Sequence, residues 1–166
     1  MKPKILTITL LVTVSLAACT PLSQPTSTQV VEAPPAIVSN PEEEAEIRNL
    51  VGSFGKRLQM VSLLAPNAAE DLQKQYAEFV SPALLETWMK DVSMAPGRRV
   101  SSLWPDRIEI TTLESASSNR YVINGFVIEI TSTEVNSDEA ANKIPVQIVV
   151  EREQEHWRIT QYTEKP

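Results

Sequence analysis

One cysteine, Cys19, and one histidine, His156, occur in the 166 residues of this chain. A single cysteine closes no intrachain disulfide, and without a His pair or a Cys pair the chain lacks a zinc-type ligand set. Only four glycines are present. They form no phosphate-cradling loop, no Gly-x-Ser-x-Gly elbow occurs, and no spacing of Asp and Glu makes a metal loop. Beyond the first twenty residues no apolar run approaches the roughly 20 residues that a bilayer crossing needs. Positive charge is also short: 15 Lys and Arg stand against 21 Asp and Glu, a net charge of −6. An acidic domain gains no attraction toward nucleic acid or anionic lipid headgroups, so neither is an expected partner. Nothing in the composition calls for a cofactor or a metal.

What is there begins with export. Lys2 and Lys4 precede an apolar run from Ile5 to Leu16, and Ala17 and Ala18 supply the small residues of a cleavage site. The site ends on cysteine, and Leu16-Ala17-Ala18-Cys19 resembles the lipobox of bacterial lipoproteins. That resemblance implies a signal peptide over 1–18, a diacylglycerol on the Cys19 sulfur, and attachment to the extracytoplasmic face of a bacterial membrane. Two or more acyl chains hold stably where one does not, at about 0.8 kcal/mol per buried methylene. Acylation would leave no thiol for catalysis or metal binding. Loss of Lys2 and Lys4 with the signal leaves 13 basic against 21 acidic residues, a net charge of −8. Residues 19–40 are rich in Pro, Ser, Thr, Gln and Val and read as a tether, with a span of about 25 Å as a flexible coil.

Residues 41–166 amount to one domain, long enough to bury about two thirds of its surface. Asn40 and Pro41 with Glu42, Glu43 and Glu44 mark a helix start, and Ile47, Leu50, Val51, Phe54, Leu58 and Val61 recur on one face. This predicts a first helix to about Leu64, with Gly52 and Gly55 allowing close approach of a neighbour. Asn67 is placed to cap a second helix carrying Leu72 and Tyr76. Ser81-Pro82 starts a third with Leu84, Leu85 and Trp88, which stops before Met94 to Gly97. The period then alternates: 107–113, 120–133, 143–151 and 156–162 read as strands. Asn124-Gly125 suits a hairpin turn, but the arms would be unequal, and one long strand bent by a bulge at Gly125 is the preferred reading.

Three helices followed by a curved antiparallel sheet of about four strands make an α+β class. In element order this resembles the nuclear transport factor 2-like, cystatin-like cone fold. That superfamily includes isomerases, dehydratases, membrane-tethered subunits of secretion machines and extracellular domains of cell-wall enzymes. More narrowly, APGRRVSSLWPDRIEI (95–110) resembles a segment of uncharacterised envelope proteins from spore-forming and related Gram-positive bacteria, which implies a compartment and no activity.

Catalysis in such a cone would need a carboxylate and a donor facing a cavity. Asp106, Glu109, Glu129 and Tyr121 are the candidates by type, with Glu109 and Glu129 at matching positions of two Ile-Glu-Ile-Thr strands and so able to share a sheet face. The preferred reading is the wet side of a half-buried sheet, because Ile108, Ile110, Ile128 and Ile130 take the other side, and His156 reads as a solvated turn residue. The unusual segment is the crossing from helices to sheet, where Arg98, Arg99, Trp104, Asp106 and Arg107 gather around Pro105. Trp and Arg are enriched where interfaces carry their energy, so these five are the candidate partner-binding residues. In the competing reading Trp104 plugs the open end of the cone and Asp106 pairs with a nearby Arg. The expectation is a lipid-anchored, non-catalytic domain that binds an envelope protein. The alternatives are a small-ligand binder or enzyme using the cone cavity, and an accessory subunit of a secretion or spore-envelope assembly.

Overall fold

The side chain of Asn40 accepts a hydrogen bond from the Glu42 N–H at 3.0 Å and opens helix α1, Pro41–Arg57. This computed structural model describes residues 40–165; the signal segment, Cys19 and the tether up to residue 39 lie outside them. Three acids face the positive end of the α1 dipole, and Ile47, Val51 and Phe54 are fully buried along one side. The helix does not reach Leu64. A 3₁₀ turn, Leu58–Met60, follows it, and the chain then extends because Ser62 forms a parallel bridge with Arg98. Leu63 N–H donates to the Arg98 carbonyl at 2.9 Å and Arg98 N–H to the Val61 carbonyl at 2.8 Å. These bonds satisfy backbone groups that another helical turn would otherwise have paired.

Helices α2, Ala68–Tyr76, and α3, Pro82–Lys90, follow. Asn67 does not cap α2 with its side chain but donates to Asp71 at 3.1 Å. Ser81 does cap α3, its Oγ accepting from the Leu84 N–H at 3.3 Å. A second 3₁₀ turn, Val92–Met94, leads into the crossing.

The sheet is an antiparallel meander in the order β1-β2-β3-β4: Trp104–Ser117, Arg120–Ile130, Asn142–Glu153 and His156–Glu164. Three helices before a curved, open four-stranded sheet make the protein α+β. Strand β2 runs unbroken through Asn124-Gly125, with Gly125 opposite Ile110 on one side and Val146 on the other. One long strand is correct, but the extra residues lie in β1, which bulges at Asp106, Thr111 and Ala116. Each bulge bends its strand and adds twist, and their even spacing curves β1 along its whole length. At Gly125 a Cβ would stand 2.2 Å from the Glu109 carbonyl oxygen, so the glycine is required by close backbone approach.

The register sorts the side chains. Ile108, Tyr121, Ile123, Val127, Val146, Ile148, Val150, Trp157 and Ile159 join the helices in one core. At its centre the Phe54 ring lies 5.0 Å from Tyr76, 6.1 Å from Phe79, 6.4 Å from Trp88 and 6.0 Å from Tyr162. Rings thus fill the space between helices and sheet. The β4 edge is covered where Val80 bridges Ile159. The molecule has two distinct ends. At one, Glu43 of α1 meets Arg152 at 3.4 Å and Arg152 N–H donates to the Asn119 carbonyl, bringing together the α1 start and both outer hairpin turns. The other end, about 25 Å away along the 17 residues of α1, holds residues 58–64, the 91–103 crossing and the 131–141 loop.

Candidate functional site

The five crossing residues fall into two groups. Arg98 and Arg99 sit where the crossing pairs with the 61–63 segment. Arg99 is exposed, and its guanidinium is fixed by donating to the Ser93 carbonyl at 3.0 Å and the Ala95 carbonyl at 3.1 Å. The Nε of Arg98 is buried without a hydrogen-bond partner. Neither arginine makes an ion pair among the described residues. Around them stand Met60, Leu64, Met94 and Val100, with 56% to 76% of their surface exposed. The pairing of 61–63 with Arg98 brings Met60 and Leu64 beside the arginines, and the Arg99 bonds to Ser93 and Ala95 bracket Met94.

Trp104, Asp106 and Arg107 belong to β1 instead. Trp104 is half-buried opposite Ile130 and outside the aromatic core, so it does not plug the interior. Arg107 donates to Asp106 at 2.9 Å, to Glu109 at 2.7 Å and to the Asp138 carbonyl at 3.1 Å, and Lys143 approaches Glu109 at 3.4 Å. This network ties β1, β3 and the 131–141 loop together. The Arg107 guanidinium, with Lys143 beside it, holds the Glu109 carboxyl below the usual carboxylate range, which suits an ion-pair partner and not a proton donor.

The four acid–base candidates are not convergent. Glu109 lies opposite Phe126, three residues from Glu129 along β2, so the two carboxylates point to opposite faces of the sheet. The shared face expected from the matching motifs is therefore wrong: antiparallel register, with Asp106 bulged out, sets the facing and not the motif. Glu129 accepts from Asn142 at 2.8 Å. Tyr121 donates to Glu43 at 3.4 Å at the α1 start, and burial with the nearby Glu43 charge pushes its phenol up. His156 is exposed at the start of β4, where it lines a cleft with Glu153 and Arg158.

The structure adds a groove of about 510 Å³ between α2 and α3, lined by Ala77, Pro82, Leu85 and Met89, with the Glu86–Lys90 pair at its rim. Sequence reasoning passed over this groove and the four apolar residues around the arginines. Met94 and Val100 sit in the crossing, outside any periodic face, and by periodicity alone Leu64 reads as a helix end. Their one sequence signal is large apolar residues off the helical stripe flanking Arg98-Arg99. Among the described residues no group of three or more His, Cys, Asp or Glu is placed to hold a metal, and no helix is long and apolar enough to cross a membrane.

An α+β domain with a ring-filled interior and a cationic, apolar patch at one end is the class these observations define. The chain matches no protein-family model, and no curated protein matches it. Among solved structures it is similar to a five-substitution variant of the designed protein Rd1NTF2_05, with 10% identity and a TM-score of 0.40, covering 75% of this chain and 97% of that one. It is also similar to the intermembrane space region of the chloroplast protein ARC6, with 14% identity and a TM-score of 0.41, covering 76% and 97%.

Proposed function

We propose that this chain is an exported lipoprotein, held to the extracytoplasmic face of a bacterial membrane through Cys19, whose cone-like domain binds another protein of the cell envelope without catalysis. The observation that carries the reading is the end of the molecule remote from Asn40. A chain tethered through residues 19–40 enters the domain at the α1 start, and the patch of Arg98, Arg99, Met60, Leu64, Met94 and Val100 lies a helix length beyond it. Exposed apolar side chains around guanidinium groups are the composition of a protein interface. Rings around Phe54 fill the centre of the domain, Glu109 and Glu129 lie on opposite faces of the sheet, and Asp106 and Glu109 are both engaged by Arg107. A second reading, a small apolar ligand, rests on the α2–α3 groove.

The test is photo-crosslinking in cells that naturally make the full chain, with the crosslinkable residue at Arg99 and, as a control, at the exposed Arg48 of α1. Capture of one dominant envelope protein from Arg99 and not from Arg48 is the expected result. No capture from Arg99 removes the protein-binding reading and turns attention to the groove.

A further inference from the structure

We infer that the segment seated on the remote patch is acidic and apolar: a stretch of partner protein whose carboxylates pair with Arg98 and Arg99 while large aliphatic or aromatic side chains cover Met60, Leu64, Met94 and Val100. The inference rests on the protein-binding reading above and names the chemistry of its partner. Charge is the first argument. Six other basic side chains, Arg57, Lys90, Arg107, Arg120, Lys143 and Arg152, have a carboxylate within 4.0 Å, as a domain with excess acid readily provides. Arg48, Lys56, Lys74, Arg158 and Lys165 also have none among the described residues but are scattered singly along the chain, whereas Arg98 and Arg99 are adjacent and both have none. An acidic domain that leaves two neighbouring guanidiniums without anions presents a local positive site inside a repulsive field, which selects for a carboxylate delivered to that one place.

Preorganisation is the second argument. Arg99 is held by two backbone carbonyls at 3.0 and 3.1 Å. Both bonds go to neutral acceptors, so its charge is undiminished. The Nε of Arg98 is buried while its terminal nitrogens make no hydrogen bond within the protein and reach solvent. The Arg99 fork, fixed by two hydrogen bonds, loses little side-chain freedom on binding, and the Arg98 fork, with its stem packed and its terminal nitrogens unpaired, has its donors free; both suit planar carboxylates. The third argument is the surround. Exposed apolar side chains next to the forks exclude water when covered, which strengthens the ion pairs and supplies buried area. A nucleic acid or an anionic membrane would meet the same two arginines but also the acids of the rest of the domain, and would leave the methionines and Leu64 uncovered.

The test presents a phage-displayed random peptide library to the purified full chain in detergent micelles, then measures the selected peptides by fluorescence polarisation. Selected sequences are expected to interleave Asp or Glu with Leu, Ile, Phe or Trp, to weaken with added salt, and to lose about tenfold in affinity on Arg98→Glu, a loss typical of an interface hot spot. Arg98→Glu removes no hydrogen bond made by that side chain, so it reports binding even where Arg99→Glu lowers the melting temperature. Met94→Ser is expected to weaken binding as well. Selected peptides without acidic residues, or peptides that bind the Arg98→Glu chain as tightly as the unaltered one, overturn the inference. If crosslinking at Arg99 traps an envelope protein while the library gives this negative result, protein binding stands and the acidic partner falls. Acidic peptides without an envelope crosslink give the reverse.

Discussion

Gly52 and Gly55 lie three residues apart in one helix and do opposite things. A Cβ at Gly55 would come within 2.7 Å of the Ile108 backbone nitrogen, whereas a Cβ at Gly52 meets nothing within 4 Å. Only Gly55 seats α1 against β1. Gly52→Ala is therefore expected to stabilise the domain by about 1 kcal/mol through helix propensity, and Gly55→Ala to destabilise it by about 1–3 kcal/mol through overpacking. Urea denaturation of the two variants gives opposite shifts of midpoint; shifts of the same sign would contradict the packing described. Gly125→Ala, against a backbone oxygen at 2.2 Å, is expected to be the most damaging of the three. Sequence periodicity places both helix glycines near the buried stripe and cannot tell them apart, because the distinction depends on where a strand fifty residues later crosses the helix.

The turn between β3 and β4 shows strain at the level of an element. Gln154 and Glu155 have φ of 54° and 93°, between the paired Glu153 and His156, the pattern of a type I′ hairpin that favours Asn-Gly. A non-glycine residue in the left-handed region costs about 1–2 kcal/mol. Glu155→Gly is expected to recover about 1 kcal/mol and raise the melting temperature by several degrees, as read by calorimetry; an unchanged or lower melting temperature would refute it. The order of elements and the single long β2 were legible because Ile, Val and Thr alternate cleanly there. The length of β1 was not: bulges at Asp106, Thr111 and Ala116 each shift the alternation, so only the middle of a strand that runs from Trp104 to Ser117 read as one. The end of α1 was missed for a related reason, since Val61 continues the helical stripe while its backbone is claimed by Arg98. Arg98 and Arg99 were legible as unusual, but their separation from the Asp106–Arg107–Glu109 network depends on the fold.

For the molecule as a whole, the aromatic centre sets the response to alkali. Burial, with the Glu164 charge nearby, pushes the Tyr76 and Tyr162 phenols well above their ordinary value of 10.0. Below about pH 10 both folded and unfolded chains keep these protons and stability is unaffected. Above it the unfolded chain releases them and the folded chain does not, so stability falls as pH rises. Urea midpoints are expected to hold up to about pH 9 and then decline, with a shallower decline for Tyr162→Phe; an equal slope in that variant would exclude the phenol as a cause. The other whole-molecule question is the proposed anchor. In the proposed arrangement a chain anchored at Cys19 enters the domain at the α1 start, which leaves the remote patch accessible to a partner. Everything in that arrangement hangs on the cysteine. The apolar run before it, Ile5 to Leu16, is too short to span a bilayer comfortably, so the proposed anchor depends on the lipid. Cys19→Ala is expected to abolish labelling by a fatty-acid analogue and to leave the longer, uncleaved precursor, while the mature native chain should have an intact mass that starts at Cys19 and carries a diacylglycerol. Labelling that survives in Cys19→Ala, or a mature chain cut elsewhere and without lipid, would remove the anchor.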